Sequence, residues 1–392
     1  MTTPITGSSL AYAAIVLRGG AIVVAGQAFP QSGNGQVVVA RYRSDGRLDR
    51  TFGRGGTFQS AFPAASGPFL ADAIAQDRRT GKLIIAGGYG QGSMLVMRLN
   101  ARGQLDRTFA AHRGFATVSV GGIANSLAIQ RDGRILLGGY NANPEGRPFV
   151  VARFTRGGIL DRTFGRRGIA QLIFWNRKAA AGGGLTGLAT TADGGLIASG
   201  HIDYIGGHGG QNPGHGTAGI FRLNRRGLPI RRFGTRGHVE VTFFNRAHMP
   251  LQWFPCAMTT DRRGRITVTG GGAASALLTA RLTGGGALDR SYGSNRNGRS
   301  VMPGAGGNAI TTCGAAATPA GALTAGVQST LAQLLSNGRP NTRFARRGVF
   351  TIVRPRGVFI NAVLRSGPQR IVLAGSAGNA MYVARYLLPP GG

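Results

Sequence analysis

The segment VARYRSDGRLDRTFG, residues 39–53, returns along the chain with the same order of basic, glycine, acidic and aromatic positions. Clear copies are MRLNARGQLDRTF at 97–109, ARFTRGGILDRTFG at 152–165 and ARLTGGGALDRSYG at 280–293, and degenerate copies end at Phe233 and Phe344. Self-similarity at a fixed period, here roughly 55 residues, is typical of repeat architectures. We therefore take this repeat as the structural unit of the protein.

A second recurring segment lies between these copies and predicts a β-hairpin. It is clearest as LAIQRDGRILLGG, residues 127–139. Related segments start near Ala14, Ala73, Leu188, Met258, Ala315 and Val363. Each repeat then contains four short β-rich runs, named A to D in order, separated by Asp-Gly, Arg-Gly or Gly-Gly turns of the kind that close hairpins. Four strands per repeat indicate a propeller blade.

The predicted fold is all-β: a single seven-bladed β-propeller of four-stranded blades that spans residues 1–392. The blades are expected at approximately 10–62, 70–121, 124–176, 185–245, 255–303, 309–353 and 358–388. The last of these has only three strands before Pro389-Pro390. The N-terminal segment 2–6 is predicted to supply the missing strand, which would close the ring and remove exposed sheet edges.

The two motifs together resemble the delta-60 repeat family of bacterial propeller-type proteins. The resemblance covers essentially the whole chain. It implies the propeller fold and an extracellular or cell-surface setting, and it implies no reaction. The chain departs from that family by placing arginine where Ser/Thr-rich turns are usual, so the resemblance does not extend to the charged surface.

The recurring motif residues are best explained as structural. Leu48 and Phe52, with their counterparts in the other copies, are predicted to anchor the connection between strands C and D. Asp49 and its counterparts precede a turn in which a carboxylate can accept backbone N–H groups. Two copies have Ile230 or Asn341 at the aspartate position, which suits a capping role and not a catalytic one.

The charge of the chain is its most unusual bulk property. It has 46 Lys+Arg against 13 Asp+Glu, a formal net charge of +33, and only Lys82 and Lys178 are lysines. A GC-rich coding bias would enrich Arg, Ala and Gly together, but it does not explain the scarcity of acids. The charge therefore points to polyanionic partners. No apolar run is long enough for a membrane span, and the N-terminus lacks the pattern of a signal peptide.

Arginines accumulate on one predicted face of the disc, which carries the A–B turns and the C–D connections. We call this the arginine face. Its members at the repeated position after the aspartate are Arg50, Arg107, Arg162 and Arg290, and neighbouring members include Arg131, Arg134, Arg225 and Arg226. Guanidinium groups suit phosphate, sulfate or carboxylate, although a merely solvated basic face is the competing explanation.

The opposite predicted face, formed by the B–C and D–A connections, carries two related aromatic segments. One contains Trp175, Asn176 and Arg177, and the other contains Phe244, Asn245, Arg246, His248 and Trp253. Aromatic planes beside Asn and Arg donors suit a sugar-binding groove or base stacking. Aromatic packing between blades is the alternative.

No organic cofactor is expected, but one loop has the side chains for a divalent metal such as zinc. It contains His201, Asp203, His208 and His215 in a glycine-rich context, and zinc binds His and Asp ligands.

Cys256 and Cys313 both start an A strand in neighbouring predicted blades, so a disulfide near the central channel and two buried thiols both remain open.

These observations predict a non-enzymatic binding or scaffold propeller that engages an anionic polymer or glycan. One alternative is a carbohydrate-active enzyme, a lyase or hydrolase, with its site on the face that carries the aromatic segments, which we call the aromatic face. The other is nonspecific nucleic-acid binding. Few acids lie near the aromatic segments, whereas glycoside hydrolysis usually needs a carboxylate pair. The sequence does not predict an oligomeric state.

Overall fold

The repeats fold into seven antiparallel sheets of four strands each in the described part of the chain. The computed structural model describes residues 2–3, 8–30, 35–60, 69–90, 92–141, 149–174, 180–204, 216–272, 275–305, 313–318, 321–345, 347–352 and 357–388. Among these residues there is no α-helix, and none of their segments qualifies as a membrane-spanning helix. The protein is a seven-bladed β-propeller, as the repeats predict.

Each blade is formed by strands that follow one another in the chain. The N-terminal strand is β1 (Thr2–Thr3), and blade 1 contains β2 (Ser8–Val16), β3 (Ile22–Phe29), β4 (Gln36–Tyr42) and β5 (Thr57–Ser60). Blade 2 contains β6 (Ala73–Gln76), β7 (Leu83–Tyr89), β8 (Ser93–Leu99) and β9 (Phe115–Ser119). Blade 3 contains β10 (Ala124–Ile129), β11 (Ile135–Tyr140), β12 (Phe149–Phe154) and β13 (Ile169–Leu172). Blade 4 contains β14 (Ala180–Thr190), β15 (Leu196–Tyr204), β16 (Gly216–Leu223) and β17 (His238–Val241). Blade 5 contains β18 (Trp253–Thr260), β19 (Ile266–Gly272), β20 (Ala276–Leu282) and β21 (Arg299–Met302). Blade 6 contains β22 (Cys313–Ala317), β23 (Leu323–Val327), β24 (Thr330–Leu334) and β25 (Val349–Thr351), and blade 7 contains β26 (Val358–Arg365), β27 (Arg370–Ala377) and β28 (Ala380–Leu387).

The two middle strands of a blade are apolar along most of their length because both of their faces are covered by neighbouring blades. Strand β3 has seven buried residues in succession, and β8 has six. A strand buried on both faces reads as a continuous hydrophobic run, not as an alternating one. The outer strands are different: in β9 no residue is fully buried. The core is therefore a series of layers between adjacent sheets.

The last sheet takes its fourth strand from the other end of the chain. Strand β1 pairs antiparallel with β28, with Thr2 opposite Tyr382 and Thr3 opposite Met381. Blade 7 then has the order β1-β28-β27-β26. Residues 4–6 of the segment predicted for this strand lie outside the described residues.

Glycines in the C–D turns allow one blade to pack closely on the aromatic residue of the preceding blade. A Cβ atom on Gly103 would lie 2.7 Å from the ring of Phe52, and one on Gly158 would lie 2.6 Å from the ring of Phe109. Both glycines also have a positive φ, of 77° and 86° respectively, which L side chains rarely adopt. The repeated glycine and the repeated aromatic are thus two sides of one contact between blades.

Candidate functional site

In each clear copy of the motif, the arginine on strand C pairs with the aspartate eight residues later. We call this pair the arginine–aspartate lock. In blade 5, Arg281 Nε donates to Asp289 Oδ2 at 2.8 Å, and Arg281 Nη2 donates to Ser291 Oγ at 3.2 Å. The guanidinium also lies 4.4 Å from the centroid of the Tyr292 ring, and Nη1 donates to the carbonyl of Ser336 in the next blade. The equivalent arginines are Arg41, Arg98 and Arg153. This one side chain therefore ties a turn, an aromatic ring and two blades together.

The aspartates act as the turn caps that the sequence predicts. Asp161 Oδ1 accepts the Thr163 N–H at 3.1 Å and the Thr163 hydroxyl at 2.6 Å, while Oδ2 accepts Arg153 Nε at 2.9 Å. Burial alone would raise the pKa of the Asp161 carboxyl, but the hydrogen bonds from Thr163 and the charge of Arg153 lower it overall. A carboxylate held ionised by these donors is a structural anion, not a proton donor.

The degenerate copies show how the lock tolerates loss of the charge. In blade 6 a neutral pair replaces it, because Asn341 Nδ2 donates to Gln333 Oε1 at 2.7 Å. In blade 4 the aspartate position is Ile230. Arg222 keeps the hydrogen bond to the next blade, to the Gly284 carbonyl at 2.9 Å, and pairs instead with Asp193 of the A–B turn, with Nη2 3.3 Å from Oδ2. Sequence reasoning missed the buried arginine because it lies eight residues before its aspartate, on strand C and not in the turn. The signal was present: an arginine stands at that place in all four clear copies.

The four arginines that follow the aspartates lie on the surface of the molecule. Their side chains, Arg50, Arg107, Arg162 and Arg290, are exposed, and none of the four forms an ion pair with a described residue. The carboxylate beside each of them is already paired with the strand-C arginine of the same copy. The charges of these four arginines are therefore not neutralised by the motif acids.

The same face has a cleft between blades 3 and 4. It has a volume of about 740 Å³ and is lined by the A–B turns of both blades and by the C–D connection of blade 4. Arg131, Arg225 and Arg226 are exposed at its rim. Arg134 contributes as well, but it pairs with Asp132 and with Asp161, 3.0 Å away. The cleft combines a concave shape with unpaired guanidinium groups, which is suitable for an anionic group.

The aromatic segment after β17 divides into an exposed and a buried part. Phe244, Asn245, Arg246 and His248 are exposed, with Phe244 at 56%. Asn245 Oδ1 accepts the N–H groups of Ala247 and Met249, both at 2.9 Å, so its amide oxygen caps the turn. Trp253, in contrast, has no exposed surface and packs edge-on against Phe243 with centroids 4.7 Å apart. Trp253 thus follows the packing alternative, because its ring fills the space between blades 4 and 5.

The other aromatic segment begins beside the core of blades 3 and 4. Trp175, Asn176 and Arg177 lie outside the described residues. The preceding Phe174 packs inward, with its ring centroid 4.7 Å from that of Phe221 and 5.1 Å from that of Phe149. Phe174 and Phe243, which immediately precede the two aromatic segments, are therefore both anchors between strands.

The predicted metal site cannot be assembled from the described positions. Of its four members, His208 and His215 lie outside the described residues, and for Asp203 only the backbone is described, in β15 paired with Gly216 and Gly182. His201 lies in the same strand and is partly buried. Within the described residues, no group of three or more His, Cys, Asp or Glu side chains is placed to hold a metal ion.

Cys256 and Cys313 form a disulfide between neighbouring blades. Their Cα atoms are 5.6 Å apart, and 57 residues separate them in the chain. Both line the central channel. Of the two alternatives that the sequence left open, the structure has the bridge.

The central channel is lined by one three-residue segment from the A strand of each blade. In five A strands the first residue of that segment is a β-bulge: Tyr12, Asn125, Thr186, Cys256 and Asn361. Asp72 and Cys313 occupy the same position relative to the A–B turn in the other two blades. A bulge re-aims a side chain, and these seven residues, which we call the channel ring, all line the channel.

A glycine on strand B makes each bulge possible. A Cβ atom on Gly139 would lie 1.8 Å from the Ile123 carbonyl oxygen, and one on Gly26 would lie 1.9 Å from that of Leu10. Such contacts are not sterically allowed, so the bulged strand can approach only glycine. The strand-B glycine of each bulged blade thus allows the bulge that carries a channel-ring residue.

Asp72 is the ionisable carboxyl of the channel ring, and its environment favours the neutral form. Its Oδ2 atom is buried and has no hydrogen-bond partner among the described residues. Burial raises the pKa of the Asp72 carboxyl to about 7. The charge of Asp72, after burial itself, also raises the pKa of the Tyr12 phenol.

Replacing Asp72 by asparagine is expected to stabilise the protein at pH 8 and to change its stability little at pH 4. The folded-state pKa of about 7 exceeds the ordinary value of 3.8. Between these two pH values the folded protein therefore keeps a proton on Asp72 that the unfolded chain has lost. Stability contributed by the neutral carboxyl is therefore lost as pH rises, by up to about 1.4 kcal/mol per pH unit between about pH 4 and about pH 7. Urea unfolding of both proteins at several pH values measures the difference. A difference that is independent of pH would contradict the assignment.

The fold and these surfaces define a β-propeller with a basic face and a polar central channel. A family model described as "Domain of unknown function (DUF5122) beta-propeller" matches residues 20–52 and 79–109. Both segments run from an A–B turn to the motif aromatic, Phe52 or Phe109. A search of curated proteins gives no match.

Solved structures superpose on the chain at low sequence identity. The GH93 alpha-L-arabinofuranosidase of Fusarium graminearum, in complex with arabinobiose, is 8% identical, with coverage of 99% of this chain and 96% of that chain and a TM-score of 0.49. The PQQ-bound aldose sugar dehydrogenase of Streptomyces coelicolor is 13% identical, with coverage of 82% of this chain and 96% of that chain and a TM-score of 0.46.

Proposed function

We propose that the protein is a non-enzymatic binding or scaffold propeller whose arginine face engages an anionic polymer, such as an acidic glycan or envelope polymer. The observation that carries the proposal is the repeated exposure of Arg50, Arg107, Arg162 and Arg290 beside carboxylates that the strand-C arginines already neutralise. Equivalent positions in separate blades are spaced around the disc. A polymer with regularly spaced anions would meet several of them at once.

The cleft between blades 3 and 4 supports a specific contact within that surface. Its exposed arginines belong to turns that hydrogen bonds hold in place. Arg153 Nη1 donates to the Arg225 carbonyl at 2.5 Å, and Gln130 Nε2 donates to the Gly194 carbonyl at 2.7 Å. Rigid supports reduce the entropy lost on binding. We propose that this cleft receives one phosphate, sulfate or carboxylate group of the polymer.

The aromatic face is proposed as a secondary contact. Phe244, Asn245, Arg246 and His248 are the exposed candidates in the described part of this face. Trp175, Asn176 and Arg177, which lie outside the described residues, belong to the same proposed contact. An exposed ring beside a guanidinium suits stacking on a sugar or a base.

We also propose that the chain is a member of the delta-60 repeat family and acts outside the cell. The disulfide supports the second point, since such bonds persist in oxidising compartments.

Substituting Arg50, Arg107, Arg162 and Arg290 together by glutamine is expected to weaken binding to acidic polymers and to flatten its salt dependence. Single-stranded DNA provides a calibrated probe, because each neutralised phosphate contributes about 0.7 to the slope of log K against log salt. Loss of four contacts should reduce that slope by about 3. Titrations at several salt concentrations with acidic glycans, teichoic-type polymers, neutral glycans and single-stranded DNA make the measurement.

The matched control compares single substitutions on the two faces. Arg162→Gln should weaken binding and lower the salt slope more than Arg246→Gln, which removes an exposed arginine of the proposed secondary contact on the opposite face. Selective binding of an acidic glycan at physiological salt would support the proposal. Equal binding of every polyanion, with complete loss at physiological salt, would reduce it to nonspecific attraction.

A further inference from the structure

The turn between β17 and β18 repeats, on the aromatic face, the backbone of the C–D turns. The His248 N–H donates to the Asn245 carbonyl at 3.1 Å, as the Gly103 N–H donates to the Asn100 carbonyl at 3.0 Å in blade 2. Asn245 Oδ1 caps this turn in the same way as Asn100 Oδ1 caps the other. His248 therefore stands at the glycine position, with a φ of 57° that L side chains rarely adopt.

This copy of the turn projects into solvent. All six residues from 244 to 249, which we call the projecting turn, are exposed, and Phe244 and Met249 are each 56% exposed. In the C–D turns the glycine lets the turn pack on the aromatic ring of the preceding blade, a contact that a histidine side chain would prevent. The base of the projecting turn is anchored, because Phe243 packs against the buried Trp253.

Three further exposed apolar side chains lie on the same face. Ile173 follows strand D of blade 3, Phe29 ends strand B of blade 1, and Phe359 lies near the start of strand A of blade 7. All three strand ends belong to the aromatic face. In a ring of seven blades, blades 7 and 1 lie nearly across the disc from the projecting turn, which joins blades 4 and 5. Apolar side chains at opposite sides of one face suit a planar surface better than a compact ligand.

The charges favour an anionic surface as the partner. Arg246 is exposed and lies between the two apolar side chains of the projecting turn. The net charge of +33 attracts the protein to anionic surfaces and repels a second copy of the chain. Apolar side chains beside basic ones can enter the boundary between lipid head groups and acyl chains, whereas small-ligand sites are concave. A convex turn with this composition therefore fits a lipid surface.

We propose that the aromatic face docks on an anionic lipid surface, with Phe244 and Met249 inserted among the head groups and Arg246 beside lipid phosphates. The proposal rests on the secondary contact proposed for this face and assigns that contact to lipid. It does not require polymer binding by the arginine face. Because the two faces lie on opposite sides of the disc, the propeller can hold an anionic polymer at a lipid surface.

The test measures flotation of the full chain with two kinds of vesicle, phosphatidylglycerol and phosphatidylcholine in equal parts or phosphatidylcholine alone, at low and physiological salt. We expect binding to the anionic vesicles, weakened at least about tenfold by Phe244→Ser/Met249→Ser, because the apolar area available for insertion is lost. The matched control is Ile159→Ser/Leu228→Ser, which removes side chains 55% and 51% exposed from the arginine face and should leave binding nearly unchanged.

A fluorescence measurement distinguishes insertion from adsorption by charge alone. Brominated acyl chains quench a tryptophan that reaches them, so Phe244→Trp should be quenched more than the wild type. Leu228→Trp, on the arginine face, should show no such increase. The fourfold arginine variant should still bind the anionic vesicles and should still depend on Phe244 and Met249.

Four results would overturn the proposal. These are no vesicle binding by the wild type, equal weakening by the two serine pairs, binding of a neutral glycan through Phe244 and Met249 without vesicle binding, and loss of vesicle binding in the fourfold arginine variant alone. In the last case the arginine face would hold the lipid. Loss of polymer binding with vesicle binding intact would contradict the proposed function of the arginine face and leave the docking of the aromatic face in place.

Discussion

Replacing Arg281 by alanine is expected to lower the free energy of unfolding by about 3 kcal/mol, the lower end of the range for breaking a buried ion pair. The side chain of Arg281 is 1% exposed and that of Asp289 is 11% exposed, so the substitution leaves a nearly buried carboxylate without its main partner. It also removes the contact with Tyr292 and the hydrogen bond to the next blade. The cost stays at the lower end because Arg265 Nη1 lies 3.7 Å from the same carboxylate oxygen. Urea unfolding followed by tryptophan fluorescence measures the change.

The chain itself supplies two controls for this experiment. Arg222→Ala affects the copy that has Ile230 in place of the aspartate. Arg222 pairs with Asp193 at 3.3 Å, but the side chain of Asp193 is 53% exposed and Arg222 Nε is buried without a partner among the described residues. Loss of Arg222 should therefore cost clearly less. The double variant Arg281→Gln/Asp289→Asn copies the neutral Gln333–Asn341 pair of blade 6 and should recover part of the loss. Equal destabilisation by Arg281→Ala and Arg222→Ala would show that the ion pair is not the source of the effect.

Removing the disulfide is expected to lower the free energy of unfolding by about 4 kcal/mol, the chain-entropy value for a loop of this length. The bond joins β18 and β22 and closes a loop of 57 residues. It therefore restrains the unfolded chain over a full blade. The double variant Cys256→Ser/Cys313→Ser, compared with the wild type in denaturant titrations, gives the difference.

Chemical reduction provides the control for that variant. The wild type in excess dithiothreitol should match the double variant, and the same reductant should leave the double variant unchanged. Mass spectrometry of non-reduced peptides establishes whether the bond is present before unfolding. A destabilisation below about 1 kcal/mol, under conditions where the bond is intact in the wild type, would contradict the expected role.

The blades were predictable because the repeat fixes local structure. Local conformation follows from the Asp-Gly and Arg-Gly turns, the apolar middle strands and the recurring Leu-Asp-Arg-Thr-Phe segment. Because these features recur in register, a propeller is the arrangement that covers both faces of the sheets. The cap made by Asp49 and its counterparts is likewise local, since Asp49 and Thr51 are two residues apart. These features needed no knowledge of distant contacts.

The candidate sites were predictable only where exposure follows from the turn itself. Arg50, Arg107, Arg162 and Arg290 lie in turns, and their exposure agrees with that position. Trp253 was different: the sequence placed it with an aromatic surface, but the tertiary structure buries it against Phe243. A tryptophan near the start of a strand can face either solvent or the neighbouring sheet, and only the packing of blades 4 and 5 decides between them.

By itself, the sequence determined the repeat, the strand order within each blade, the turn caps and the excess of positive charge, because each depends on residues close together in the chain. The tertiary structure alone decided the pairing of Cys256 with Cys313, the contact of each buried arginine with the next blade, and the gathering of Tyr12, Asp72 and Asn361 around one channel. Those residues come from different blades, up to nearly the full length of the chain apart. Their proximity arises only when the ring of blades is assembled, since it depends on the geometry of the whole and not on any local preference.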